Sequence, residues 1–136
     1  AAFVDAKFRE GDFSGNSVPL TPQWQLGSSV NWEIIETKLN ANLSTSYVDR
    51  ARLENDESAE GEQIPEYYVV DLRLGGKLVD TAFSSPKWSF EITNILNRKY
   101  YNYGVRAGAN PGARVTRFNV FPLAGRAALI RLNWPL

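Results

Sequence analysis

The chain has 136 residues, with 15 basic and 15 acidic side chains and no histidine, cysteine or methionine. Without imidazole the commonest general base and every Ser-His or Cys-His pair are excluded, and without thiols so are disulfides and thiolate metal sites. A formal net charge of zero gives no reason to expect nucleic acid as a partner.

Six segments alternate apolar and polar residues, the period of a strand with one apolar face. Val4, Ala6 and Phe8 alternate with Asp5, Lys7 and Arg9 in the first, Phe3 to Glu10. The second, Gln23 to Ile34, sets Trp24, Leu26, Val30, Trp32 and Ile34 against Gln25, Gly27, Ser29, Asn31 and Glu33. The third sets Leu39, Ala41, Leu43, Thr45 and Tyr47 against Asn40, Asn42, Ser44 and Ser46, and the fourth sets Tyr68, Val70, Leu72 and Leu74 against Asp71, Arg73 and Gly75. In the fifth, Lys87 to Thr93, Trp88, Phe90 and Ile92 oppose Ser89, Glu91 and Thr93. The sixth runs from Arg126 to Leu136 with Ala128, Ile130, Leu132, Trp134 and Leu136 at every second position. No segment sustains a helical period, and Ser, Asn, Thr and β-branched residues crowd the strands, so the expected fold is all-β and antiparallel.

The alternation, rather than any continuous apolar run, points to a membrane. No run approaches the roughly 18 to 20 residues of a transmembrane helix, but barrel strands are half polar by design. The connections alternate in length: a tight turn near Glu36-Thr37 and a modest link from Asp80 to Pro86, against long connections at Gly11 to Pro22, Ala51 to Glu66 and Asn97 to Ala124. Short periplasmic turns and long extracellular loops are the habit of outer-membrane barrels. Trp24 and Trp32 share a face eight positions apart, about 26 Å along a strand and about 20 Å in height at a tilt of roughly 40°. That nearly matches an apolar band of roughly 25 Å bounded by aromatic girdles. Trp24, Tyr47 and Tyr68 are expected at the outer membrane interface, and Trp32, Trp88 and Trp134 at the inner one.

Six strands cannot close a membrane barrel, and open edges in lipid leave backbone groups unpaired at several kcal/mol each. The expectation is therefore that residues 1–136 are part of a transmembrane β-barrel domain whose other strands lie outside this sequence. The lack of methionine and of a signal peptide, and an opening directly inside a strand, agree with that expectation.

Four stretches resemble the C-terminal end of a TonB-dependent outer-membrane receptor. Gly15-Asn16-Ser17-Val18-Pro19-Leu20-Thr21-Pro22 resembles the loop before a descending strand. Ile64-Pro65-Glu66-Tyr67 followed by Val70-Asp71-Leu72-Arg73-Leu74 resembles the family's "I-P-x-Y…D-L" strand. Thr93-Asn94-Ile95-Leu96-Asn97-Arg98-Lys99-Tyr100 resembles its "N-L-F-D-x-x-Y" stretch, and Pro122-Leu123-Ala124-Gly125-Arg126 its "P-G-R" opening of the last strand, with Ala124 in place of the proline. The chain ends on Leu136 where many outer-membrane proteins end on an aromatic. The resemblance implies a 22-stranded barrel filled by a plug domain not in this chain, located in the bacterial cell outer membrane. It also implies uptake of a scarce nutrient, a ferric siderophore or similar chelate, energised by TonB through the plug.

Three groups of residues stand out for function. Asp71, Arg73, Glu91 and Arg131 share the lumen-facing side, either as a polar track for substrate or plug or as a charge ladder fixing register. Tyr100, Tyr101, Tyr103, Arg106, Arg114 and Arg117 lie in the longest loop, where aromatics and guanidinium groups suit an anionic, ring-containing ligand. The acidic stretch Glu54 to Glu62 departs from the spacing of a calcium loop and reads as a solvated loop tip. Asn94 breaks the alternation, so local irregularity is expected there. No catalysis, metal or cofactor is expected of this segment; its partners are outer-membrane lipid, the remaining strands and plug of the receptor, TonB through that plug, and a small-molecule or metal-chelate substrate. The alternatives are an outer-membrane barrel of another class, enzyme or passive porin, which the absence of histidine disfavours for the enzyme, and a soluble lipocalin-like binding barrel. Apolar stripes of this extent exposed to water disfavour the last.

Overall fold

The structure is a computed structural model, described for residues 1–36, 38–79, 85–106 and 118–134. Among these residues there are ten strands and no helix: β1 (Ala2–Phe3), β2 (Trp24–Ile35), β3 (Leu39–Val48), β4 (Ala51–Arg52), β5 (Gln63–Ile64), β6 (Tyr67–Lys77), β7 (Lys87–Thr93), β8 (Tyr101–Arg106), β9 (Phe118–Pro122) and β10 (Ala127–Asn133). Six of them form one sheet in the order β1-β2-β3-β6-β7-β10, while β4-β5 and β8-β9 form two-stranded ribbons. The pairs β1–β2, β6–β7, β7–β10, β4–β5 and β8–β9 are antiparallel. The fold is therefore all-β and antiparallel, as the period of two demands. The large sheet is open, with β1 and β10 at its edges.

Its six strands are those expected from the sequence, with corrections of extent at both ends: β10 spans Ala127–Asn133, so Arg126 and Trp134 of the expected last strand lie beyond it, and Pro135 and Leu136 lie outside the described residues. The segment Phe3 to Glu10 does not run on as a strand of the sheet; only Ala2 and Phe3 pair with β2. Beyond Val4 the backbone turns to its own loop: the Val18 N–H donates to Ala6 O and the Phe8 N–H to Asn16 O, with Lys7 bridged to Ser17. Alternating side chains describe an extended backbone equally well whichever partner it chooses.

The registers align the stripes. Across β6, β7 and β10 the rows Leu72–Ile92–Ala128, Leu74–Phe90–Ile130 and Gly76–Trp88–Leu132 lie on one face. The alternate rows Arg73–Glu91–Leu129, Gly75–Ser89–Arg131 and Lys77–Lys87–Asn133 lie on the other. A slip of one residue would exchange the faces, so the pattern fixes the register. Side-chain hydrogen bonds keep the same parity between β2 and β3: Asn42 Nδ2 donates to Asn31 Oδ1 at 2.7 Å on the polar side, and Ser28 and Thr45 hydroxyls meet at 3.0 Å on the apolar side. This last pair satisfies two hydroxyls in an otherwise greasy surface. If the apolar face meets lipid, Thr45→Val should strand the Ser28 hydroxyl and cost about 1 kcal/mol in folding into vesicles, while the double change Ser28→Ala/Thr45→Val should recover most of it. Equal losses in single and double variants would contradict the pairing.

The apolar side has no protein cover. Ile130, Leu132 and Trp134 are 69%, 71% and 68% exposed, and Leu26, Val30, Trp32 and Ile34 of β2 are all exposed. Among the described residues the buried apolar side chains are Ala41, Leu53, Ile64 and Val69.

Contacts divide the chain into two compact units, the first comprising residues 1–26, 47–68 and 99–123 and the second 27–46, 69–98 and 124–136. The connections Gly11 to Pro22 and Ala51 to Glu66 belong to the first unit, as do the described residues of the third between 99 and 123, whereas Asn97, Arg98 and Ala124 belong to the second together with Glu36, Ser85 and Pro86. Trp24, Tyr47 and Tyr68 fall in the first; Trp32, Trp88 and Trp134 fall in the second.

At Asn94 the expected irregularity takes a definite form. Its φ of 50° and that of Asn97, also 50°, close a tight turn in which the Asn97 N–H donates to Asn94 O at 2.8 Å. Left-handed backbone is tolerated best by asparagine after glycine. The Asn94 side chain, 2% exposed, then replaces the missing ladder partner: Arg98 N–H donates to its Oδ1 and its Nδ2 donates to Arg98 O, both at 2.9 Å.

Candidate functional site

The first unit holds a loop cluster built around a small apolar centre. Leu53 and Ile64 are buried, and Gly104 lies so close that an added Cβ would sit 2.5 Å from Leu53 Cδ2. Backbone bonds tie the loops together: Leu20 N–H to Arg52 O, Glu54 N–H to Gly104 O, Arg106 N–H to Glu54 O and Leu123 N–H to Tyr100 O.

Beside that centre lies a buried charge group that the sequence did not announce. Asp56, from the acidic stretch read as a solvated tip, has no exposed side-chain surface. Arg106 meets its Oδ1 at 2.6 Å, Arg52 lies 3.5 Å from its Oδ2, and the Gly61 N–H donates to Oδ1 at 3.0 Å. Arg106 also donates to Ser58 Oγ at 3.1 Å. The neutralising arginines are 4 and 50 positions away, so no local pattern marks the aspartate as buried.

Of the proposed loop ligands, Arg106 is thus engaged with Asp56, and Tyr103 donates its hydroxyl proton to Glu54 while stacking on Phe121 at 5.4 Å. Tyr100 lies 4.7 Å, ring to ring, from Tyr67, and Tyr101 opens β8 opposite Pro122. Arg114 and Arg117 lie outside the described residues. The structure therefore brings Tyr103 and Arg106 into the scaffold of the cluster and leaves Tyr100 and Tyr101 half-buried beside it.

The hydrogen bond to Glu54, followed by burial, holds the Tyr103 phenol above its ordinary value. Because the folded form keeps its proton more tightly, this contribution to stability is whole below about pH 10 and is lost as pH rises through the raised native value. In an absorbance titration Tyr103→Phe should delete a late-titrating phenol. Deletion of one that titrates with the free-tyrosine population would contradict it.

On the polar side of the second unit, Arg73 and Glu91 are directly opposite each other and Arg131 reaches Glu91 at 3.3 Å. Asp71 serves the Asn94 turn instead, accepting the Asn94 N–H at 2.7 Å. Three of the four expected lumen-facing charges therefore share one cross-strand array, and the fourth holds the backbone. That turn also meets the opening of β10: Asn97 Oδ1 accepts the Arg126 N–H at 3.1 Å, and Asn94 Nδ2 donates to Ala124 O at 3.4 Å. Among the described residues no group of three or more His, Cys, Asp or Glu is placed to hold a metal ion.

No protein-family model matches the chain, and no curated protein matches it.

Proposed function

We propose that this chain is the C-terminal wall of a TonB-dependent outer-membrane receptor, which takes up a ferric siderophore or similar chelate. The observation that carries the reading is the large sheet itself: apolar rows in register on an uncovered face, polar rows on the other, and strands joined as a meander with open edges. In water such a face is a liability, whereas in lipid it is the required surface. The open edges call for further strands, since lipid offers no hydrogen bonds to them. The receptor family is supported by the four resembling stretches, two of which touch: Asn94 and Asn97 of one are bonded to Ala124 and Arg126 of the next. The buried Arg52–Asp56–Arg106 group then acts as a clasp that shapes the outer loops, with Tyr100 and Tyr101 available to a ring-bearing ligand. The plug and TonB supply the energised step.

The test is uptake. Cells expressing the intact receptor should accumulate one ferric chelate from a panel, and only when TonB is functional. Unchanged accumulation without TonB would remove the receptor family; a purified chain that stays monodisperse without detergent would remove the membrane as well.

A further inference from the structure

In the loop cluster of the first unit, two guanidinium groups share one carboxylate. Asp56 is fully buried, whereas Arg52 and Arg106 both keep part of their surface in solvent. Arg106 Nη1 donates to Asp56 Oδ1 at 2.6 Å and to Ser58 Oγ at 3.1 Å, while its Nε is buried with no hydrogen-bond partner among the described residues. A guanidinium takes a free carboxylate in a bidentate fork, two parallel N–H bonds to two oxygens. Asp56 does not reach that geometry, because its second oxygen faces Arg52 at 3.5 Å. The arginines are arranged for a carboxylate and hold their own one imperfectly.

The stretch that supplies Asp56 is held rather than relaxed. Asn55 and Ala59 bracket it with φ of 63° and 58°. Asparagine tolerates left-handed backbone, but alanine has no side-chain reason to adopt it. Leu20, whose N–H donates to Arg52 O, also has a φ of 57°. Such residues persist only where neighbouring contacts impose them, and here Asn16 Nδ2 pins Glu57 O at 2.8 Å beside the ion pairs. Release of Asp56 lets this backbone relax. Glu57, Glu60 and Glu62 ride on the same stretch, so the release also carries negative charge away from the arginines.

We infer that Arg52 and Arg106 form a carboxylate-binding site that Asp56 fills as a built-in competitor, an autoinhibitory contact displaced by a carboxylate-bearing ligand. That this ligand is the transported chelate rests on the receptor reading; the self-occupied site does not. The intact protein, folded in detergent, is titrated with sodium acetate, and with sodium chloride at equal ionic strength, while the amide chemical shifts of Glu54, Gly61 and Arg106 are followed. Acetate should saturate Asp56→Ala with an affinity at least tenfold above that for the unaltered chain, where Asp56 competes. Asp56→Ala/Arg106→Gln should lose the response, and Arg50→Gln should behave as the unaltered chain. Should Asp56→Ala fail to fold, Asp56→Asn keeps the shape without the charge and should show the same gain. No saturable response in either variant, equal affinity with and without Asp56, equal shifts with chloride, or a response that survives loss of Arg106 would each overturn the site. Absent acetate binding in a protein whose uptake needs TonB defeats this site alone, whereas the expected binding in a protein whose uptake ignores TonB supports the site and defeats the receptor reading alone.

Discussion

Replacing Asp56 with alanine should cost about 3–5 kcal/mol of stability in the loop cluster, the range for removing one partner of a buried ion pair. The carboxylate has no exposed surface and lies between Arg106 at 2.6 Å and Arg52 at 3.5 Å. Taking it away leaves two guanidinium groups, 15% and 22% exposed, with their charges uncompensated. Arg106 is already under-satisfied, since its Nε is buried without a hydrogen-bond partner. The Gly61 N–H loses its acceptor as well. Exposed pairs such as Lys7–Asp5 provide the contrast, being worth about 0–1 kcal/mol. Hydrogen exchange should show the amides of Glu54, Gly61 and Arg106 losing protection while those of β7 and β10 keep theirs. The double variant Asp56→Ala/Arg106→Leu should recover part of the loss, because charge and counter-charge leave together. Unchanged protection in the single variant would mean that the clasp is decorative.

The second large effect is expected on the opposite kind of surface. Phe90→Arg places a guanidinium in the middle of β7, on the row shared with Leu74 and Ile130. If that row lies at the bilayer midplane, the cost in folding from denaturant into lipid vesicles is about 2–4 kcal/mol. The neighbouring change Ser89→Glu puts a charge on the other face, beside Lys87 and Arg131, and should cost little. Equal penalties at 89 and 90 would show that the two faces meet the same medium.

The sheet was legible because an apolar face and a polar face impose opposite demands on successive residues. β7 is found at the expected Lys87–Thr93, and β2, β3 and β6 differ from expectation by one or two residues at their ends. The first segment was misjudged because its alternation is satisfied by a hairpin with Asn16–Val18 as readily as by β2. The ribbons within the loops were missed for a related reason. β4 and β5 are two residues each, too short for a period, while the alternation of Tyr101, Tyr103 and Val105 with Asn102, Gly104 and Arg106 in β8 lies within a stretch read as loop. Asn94 declared itself by breaking the stripe, and its left-handed turn is the cause. Asp56 could not declare itself, because a cluster of acids in sequence looks solvated until the chain returns an arginine fifty residues later.

The most direct test of the account is a cysteine scan through β10, from Ala127 to Asn133, in the intact protein reconstituted in lipid. The chain has no cysteine of its own, so each introduced spin label reports one position. Labels at 128, 130 and 132 should relax with lipid-dissolved oxygen, and those at 127, 129, 131 and 133 with a water-soluble nickel chelate, in strict alternation. Seven positions with no alternation, or with the even positions shielded from both reagents, would contradict a lipid-facing sheet.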